Sequence, residues 1–227
     1  MARIARVVVP AVPHHVTTRG NRRQPLFFED ADYRLYRRLV GAAAERAGAE
    51  IWAYCLMPNR VHLIVTPADA DGLRATFADA HRRYTSIVNA RFGWSGHLFQ
   101  GRFGAVAMDD AHLVAAARYI ALNPVKAGLA QRAEEWPWSS ARAHLVATDD
   151  ELCHVAPLLQ RIPDFAALLG GAGDAEAERR LERAASIGRP LGSPAWLGAL
   201  EARLGRSLTP RRPGPKPRPP ALPDDAR

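Results

Sequence analysis

Residues 50–66 constrain the fold more than any other part of this sequence. Two apolar runs rich in β-branched residues, Glu50–Leu56 and Val61–Thr66, are separated by Pro58 and Asn59. A Pro-Asn pair is typical of a turn, and short apolar runs with many β-branched residues are typical of strands. The segment therefore predicts a β-hairpin.

Alternation along the second strand gives it two different faces. Val61, Leu63 and Val65 point to one side of the sheet, whereas Arg60 and His62 point to the other. A buried aliphatic face backed by a cation and an imidazole is compatible with a functional site. An ordinary antiparallel sheet with a polar outer side shows the same pattern, so the hairpin alone leaves both interpretations open.

The segments around the hairpin predict one antiparallel sheet packed with helices. Residues 13–20 alternate like a strand, residues 29–48 and 71–91 have their apolar positions at helical spacing, and a short strand is expected at 104–108. The order strand, helix, hairpin, helix predicts an α+β fold. We expect the ferredoxin-like, split βαβ arrangement, with the helices on one face of the antiparallel sheet.

The composition of the chain changes after Asp149. The stretch beyond residue 208 is rich in proline and arginine and cannot bury a core, so it is expected to be a disordered basic tail. Short helices are predicted at 163–169, 174–186 and 193–204. We therefore expect three parts: a main domain at 1–148, a small helical extension at 149–207 and the tail at 208–227.

The chain is strongly basic. Its 227 residues carry a formal net charge of +8 and give a sequence pI near 10.3, with far more arginine than lysine. Because the guanidinium group matches phosphate oxygens in a two-point geometry, this balance favours a nucleic-acid partner. Cys55 and Cys153 lie far apart in the sequence, which indicates a reducing compartment rather than a zinc or disulfide framework. No run is long enough for a transmembrane helix and no signal peptide is evident, so we expect a cytoplasmic protein with no membrane partner.

A later helix carries a candidate nucleophile. It is expected to begin at Asp109 or the following residue and to end near Asn123, because Pro124 disfavours helical geometry in the residue before it. His112, Tyr119 and Asn123 then share one side of the helix. Tyr119 could be a nucleophile presented to an open surface, but a tyrosine that fills space at an interface fits the same pattern.

Four motifs occur in this chain in a recognisable order. They are PHHVTTRGN at 13–21, MPNRVHL at 57–63, SGHLFQGRF at 95–103 and YIALNPV at 119–125. Together they resemble the single-tyrosine transposases of insertion sequences, most closely the branch of REP-associated tyrosine transposases. The resemblance covers about residues 9–145. Residues 188–192 and the basic tail are also similar to the C-terminal extension of that branch.

The resemblance implies an enzyme that recognises single-stranded hairpin or palindromic DNA. In the family, a histidine–hydrophobe–histidine pair binds Mg²⁺ or Mn²⁺, and a helix-borne tyrosine attacks a phosphate to give a 5′-phosphotyrosine and a free 3′-hydroxyl. Tyr119 matches the nucleophile, His62 the second histidine and Asn123 the third metal ligand. The resemblance also implies a bacterial, nucleoid-associated protein, either a monomer or a homodimer.

This sequence departs from the family pattern at Arg60, which stands where the first histidine is expected. Arginine is cationic at any relevant pH and has no lone pair for a metal ion. Three consequences remain open: a weak metal site in which His112 or His15 helps His62 and Asn123, catalysis in which Arg60 itself holds the phosphate, or a loss of cleavage that leaves a DNA-binding protein.

Several polar residues lie in segments where the resemblance or their charge indicates DNA contact. Exposed arginines often have no specific role, and a solvated tail is as good an explanation of the C-terminal ones. The candidate phosphate and DNA contacts are Arg60, Arg19, Arg22, Arg23, His97, Gln100, Arg102, Lys126, Arg211 and Arg212.

Two functions from different classes therefore compete. The first is a DNA strand transferase that works through Tyr119, and the second is a catalytically silent DNA-binding regulator. Arg60 favours the second, while the Tyr119–Asn123 pair favours the first. A module that binds single-stranded RNA on the same sheet is a third possibility, but the strands offer few aromatic residues on which bases could stack.

Overall fold

The computed structural model describes residues 6–208, and these form a four-stranded antiparallel sheet with helices. The strands are β1 (His14–Arg19), β2 (Glu50–Met57), β3 (Arg60–Thr66) and β4 (Gly104–Ala107), in the spatial order β2-β3-β1-β4. The helices are α1 (Asp30–Arg46), α2 (Gly72–Phe92), α3 (Asp110–Lys126), α4 (Ala141–Leu145), α5 (Ala156–Leu159), α6 (Phe165–Gly170), α7 (Ala175–Ile187) and α8 (Pro194–Leu204). The predicted α+β class with an antiparallel sheet is confirmed.

The hairpin predicted from residues 50–66 forms as expected, with β2 at one edge of the sheet and β3 in its interior. Met57 pairs with Arg60 across the turn, and β3 pairs with β1 so that Thr17 lies opposite His62 and Arg19 lies opposite Arg60. Because side chains alternate along a strand, β1 and β3 place their polar residues on the same face of the sheet.

The first face of the sheet packs against α1 and α2. Val16, Leu63 and Val65 contribute to this core and are at most 1% exposed. At its edge, the buried Asp32 of α1 accepts two hydrogen bonds of 2.8 Å from Arg91 of α2. This charged pair ties the start of one helix to the end of the other.

The second face is also covered, so the expectation of helices on one face only was wrong. Ile64 and Val106 lie on this face and are completely buried against α3 and α7, where Ile120 and Leu181 meet them. The physical reason is that the face is mixed: its apolar positions need cover as much as those of the first face. Gly104 allows the cover to come close, because a Cβ there would lie 2.6 Å from the carbonyl oxygen of Ala185.

The end predicted for the third long helix was also wrong, because α3 continues through Pro124 to Lys126. A proline in the last turn removes a single N–H donor, and the helix goes on because the Ala127 N–H donates to the Asn123 carbonyl at 3.0 Å. The three short C-terminal helices are found as α6, α7 and α8, each within about two residues of the predicted bounds. The sequence did not predict α5.

Within residues 6–208, no helix is long and apolar enough to cross a membrane. Cys55 and Cys153 are both buried free thiols. The proposed division at residues 148 and 207 stays a prediction.

Candidate active site

A cavity of about 480 Å³ lies on the second face of the sheet, beside β1 and β3. Its walls include Arg19 and Arg60 from the two strands, Gln100 and Arg102 from the loop before β4, and Glu182 from α7. The strand alternation read from the sequence places Arg60 on this side, because Val61 and its apolar neighbours turn to the opposite core.

Arg19 and Arg60 are direct cross-strand partners on the cavity side. Like charges in that position destabilise a sheet unless an anion lies near them. The chain itself supplies one negative charge near the pair, because Glu182 Oε1 lies 3.7 Å from Arg60 Nη1. The arginine pair therefore marks a place suited to a negatively charged group.

His15 and His62 form a buried pair next to the arginines. His15 Nε2 lies 3.0 Å from His62 Nδ1, and the rings stack with their centres 5.3 Å apart. Burial, with a smaller contribution from the nearby Arg60 charge, lowers the pKa of His15 to about 4. Burial, His15 and Arg60 also hold the pKa of His62 well below its usual value. Both rings are therefore neutral at physiological pH, and one donates its proton to the other.

Tyr119 reaches the same place from α3. Its ring meets the His62 ring edge-on, with the centres 5.4 Å apart, and its hydroxyl donates a hydrogen bond of 2.9 Å to Glu182 Oε1. Burial, together with the Glu182 carboxylate, raises the pKa of Tyr119 to about 12. The residue is only 4% exposed. The helical pattern left open whether Tyr119 faces an open surface or an interface, and in the structure it lies at an interface covered by α7.

Asn123 and Lys126 follow Tyr119 along the same helix. Asn123 is buried one turn after the tyrosine, and its Nδ2 has no hydrogen-bond partner among residues 6–208. Lys126 lies with its Nζ 5.7 Å from the centre of the Tyr119 ring and forms an ion pair with Glu178 of α7. The helical spacing predicted the amide one turn after the nucleophile candidate, and the structure also brings the Lys126 cation to the tyrosine ring.

The residues around His62 do not fit a tightly held divalent ion. His62 Nε2 does offer a buried nitrogen without a hydrogen-bond partner in the described structure. The neighbouring position, however, carries the Arg60 guanidinium, which has no lone pair and repels a cation. His15 Nε2 is engaged with His62. Among the described residues, no three His, Cys, Asp or Glu side chains are placed to hold a metal ion.

Some candidate residues lie away from this cavity. His112 sits at the start of α3, where its Nδ1 lies 2.6 Å from the Asp109 carboxylate, and it lines a different cavity. Arg22 and Arg23 are exposed on a 3₁₀ turn, both with left-handed backbone (φ 53° and 63°). His97 is exposed and lines another cavity, which shares Gln100 and Arg102 with the first. The other two candidates, Arg211 and Arg212, lie outside the described residues.

The sequence analysis missed Glu182, Glu178 and Arg118. Glu182 and Glu178 stand four residues apart on α7, and Arg118 lies 3.8 Å from Glu178 through its Nη1. The four-residue spacing was visible in the sequence and predicts that the two carboxylates share a helix face. What that face contacts depends on where α7 docks.

The chain is similar to known transposases. The model of the family described as "Transposase IS200 like" matches residues 8–123, a span that includes His62, Tyr119 and Asn123. No curated protein is significantly similar in sequence.

Two solved structures resemble the fold. A REP-associated tyrosine transposase bound to a REP hairpin matches with a TM-score of 0.53 and 22% identity, over 68% of this chain and 93% of that one. A candidate transposase from Deinococcus radiodurans R1 matches with a TM-score of 0.38 and 21% identity, over 52% of this chain and 95% of that one. The first likeness concerns the fold, an antiparallel sheet packed with helices.

Proposed function

The chain belongs to the family of IS200-like transposases, and on that premise we propose that it cleaves and rejoins single-stranded DNA through Tyr119. As a member of that family it is a DNA-binding transposase. The proposed substrates are hairpins or palindromic repeats, because the structural relative with the same fold is described as bound to a REP hairpin.

One observation supports this proposal above all others. A single oxygen, Glu182 Oε1, accepts the Tyr119 hydroxyl at 2.9 Å and lies 3.7 Å from Arg60 Nη1. The nucleophile candidate and a permanent cation therefore converge on one negatively charged oxygen. A phosphodiester oxygen bound in its place would be polarised by Arg60 within reach of the tyrosine.

The proposed reaction then uses residues of this chain. Arg60 neutralises a non-bridging oxygen of the phosphate, and Tyr119 Oη attacks the phosphorus. The bond from phosphorus to the 3′ oxygen breaks, which leaves a 5′-phosphotyrosine and a 3′-hydroxyl. His62 is the neutral imidazole beside the Tyr119 ring, and its Nε2 has no hydrogen-bond partner among the described residues, so in this proposal it accepts the phenolic proton. Its lowered pKa makes it a weak base, which predicts a slow step.

Binding of Mg²⁺ or Mn²⁺, which the resemblance implies, remains a proposal, and the affinity that we propose is low. His62 and Asn123 supply two of the expected ligands, but the Arg60 charge opposes a divalent ion beside them. We propose that such an ion binds weakly or not at all, and that Arg60 supplies the positive charge at the phosphate. A location near nucleoid DNA in the cytoplasm and a monomeric or homodimeric state also stay predictions.

The alternative is a DNA-binding regulator without cleavage activity. The burial of Tyr119 and its pKa of about 12 favour this alternative, because a covered and protonated phenol is a poor nucleophile. The same cavity would then bind a DNA phosphate without attacking it.

The decisive experiment incubates the protein with single-stranded hairpin DNA and manganese and looks for a covalent adduct by denaturing electrophoresis. The strand transferase forms an adduct that is absent from Tyr119→Phe, which loses one hydroxyl and keeps the packing. If the wild type binds the hairpin and never forms the adduct, the regulator is correct and the enzymatic proposal is wrong.

A further inference from the structure

Helix α7 places two carboxylates on the residues that surround the candidate nucleophile. Glu182 contacts Tyr119 and Arg60, while Glu178 contacts Lys126 and lies 3.8 Å from Arg118 Nη1. The two acidic residues are one helical turn apart, so their carboxylates lie roughly 6 Å from each other. Neighbouring phosphates along a DNA strand are separated by a similar distance.

We propose that Arg118 and Lys126 form a second phosphate subsite next to the one at Arg60 and Tyr119, and that α7 occupies both subsites as an internal competitor of single-stranded DNA. This proposal rests on the proposed function and adds to it the path of the strand along α3. Two successive phosphates take the places of Glu182 and Glu178 when the strand binds.

The way α7 is seated agrees with a competitor that can be displaced. Its buried residues are one leucine and two alanines, Leu181, Ala184 and Ala185, whereas its charged residues face the cavity or the solvent. The apolar area that holds it is therefore small, and apolar area sets most of the free energy of docking. Much of the remaining attachment is ionic, which a polyanion is well suited to replace.

Two features connect the carboxylates of α7 with the candidate active site. Its carboxylates meet four partners that the other elements bring together on one side of α3 and on β3. Tyr119 is also 4% exposed beneath it. A strand cannot reach the Tyr119 hydroxyl while that hydroxyl donates its hydrogen bond to Glu182, so DNA binding at the tyrosine requires Glu182 to leave.

The test measures the binding of fluorescein-labelled oligothymidylate by anisotropy across a range of salt concentrations. The variant Glu178→Gln/Glu182→Gln removes both competing anions and keeps the size of the side chains. The matched control is Glu151→Gln/Glu176→Gln, which removes the same number of charges away from the cavity. Glu151 contacts Arg37 of α1, and Glu176 contacts Arg179 within α7. Thermal unfolding checks that every variant is folded.

We expect Glu178→Gln/Glu182→Gln to bind the strand about tenfold more tightly than the control. The difference between the two variants should shrink as the salt concentration rises, because salt screens the competition between the carboxylates and the phosphates. Equal affinity of the two variants at low salt would overturn the proposal. If the double variant does not fold, Glu182→Gln against Glu176→Gln gives the same comparison.

A second measurement assigns the effect to the new subsite. Lys126→Met should weaken binding strongly when Glu178 and Glu182 are glutamines, and only slightly in the wild type, where Glu178 already neutralises Lys126. An equal effect in both backgrounds would contradict competition by α7. Loss of DNA binding by every protein, including the wild type, would also refute the proposed function, whereas normal binding without these differences refutes the subsite alone.

Discussion

The ion pair between Asp32 and Arg91 allows a stability prediction that leaves the candidate active site untouched. Asp32 is 2% exposed, and its two oxygens each accept a hydrogen bond of 2.8 Å from Arg91. It also accepts one from the Phe28 backbone N–H at 2.8 Å. Substitution Arg91→Met removes the counter-charge and leaves a buried carboxylate that retains only its backbone donors.

Removing one partner of a buried ion pair costs about 3–5 kcal/mol. We expect the lower end, about 3 kcal/mol, because the backbone donors remain and Arg91 itself is partly exposed. The methionine also keeps part of the contact that Arg91 makes over the Phe92 ring, because its side chain retains an apolar stem. The pair joins α1 to α2 on the face opposite the cavity, so DNA binding well below the unfolding temperature should not change.

Urea unfolding followed by circular dichroism measures this free energy directly. Arg74→Met is the matched control, because its pair with Asp71 is exposed on both sides and contributes little to stability. The double variant Asp32→Asn/Arg91→Met should recover part of the loss, since no charge then remains buried. An Arg91→Met protein that is no less stable than Arg74→Met would refute a stabilising role of this buried pair.

Three further predictions concern the site and its surroundings. Arg60→His replaces a cation with a second imidazole beside His62, so we expect manganese binding that is measurable by calorimetry and absent from the wild type; no gain would mean that other residues exclude the ion. Because His15 has its pKa lowered to about 4 from 6.5, the unfolded chain binds more protons in that window, and the free energy of unfolding should fall as the pH drops from about 6.5 to about 4. Urea unfolding over this range checks it, and a flat profile would contradict it. Burial raises the pKa of both Cys55 and Cys153, so neither thiol should react with iodoacetamide until the protein unfolds; rapid labelling of native protein would show that they are accessible.

The hairpin and the long helices could be predicted from the sequence because their signals are local. Alternation in β3 separated Arg60 and His62 from the aliphatic core, and helical spacing put Tyr119 and Asn123 one turn apart. Both periodicities follow from backbone geometry and need no knowledge of the rest of the molecule. The family motifs lie in the same segments, so the fold class and the candidate nucleophile could both be predicted from the sequence.

The errors in the prediction have physical causes that lie between segments. A strand face that carries both polar and apolar residues has the sequence pattern of an exposed face, even when another element covers it in the structure. For this reason the second helical layer was not expected. Pro124 was given too much weight, because one missing N–H in a last turn does not end a helix that packs well on both sides. The exposed 3₁₀ turn of Arg22 and Arg23 and the distant position of His112 show that charge and spacing alone do not bring residues into one cavity.

The sequence of the hairpin at residues 50–66 by itself determined that Arg60 and His62 share a face of the sheet. Helical spacing placed the Asn123 amide one turn after Tyr119. Only the tertiary structure decided what these groups meet. His15 reaches His62 across 47 positions of the chain, and Glu182 reaches Tyr119 across 63. Contacts at such separations depend on how whole elements dock, and docking is determined by the sum of many weak packing interactions, not by the pattern of any one segment.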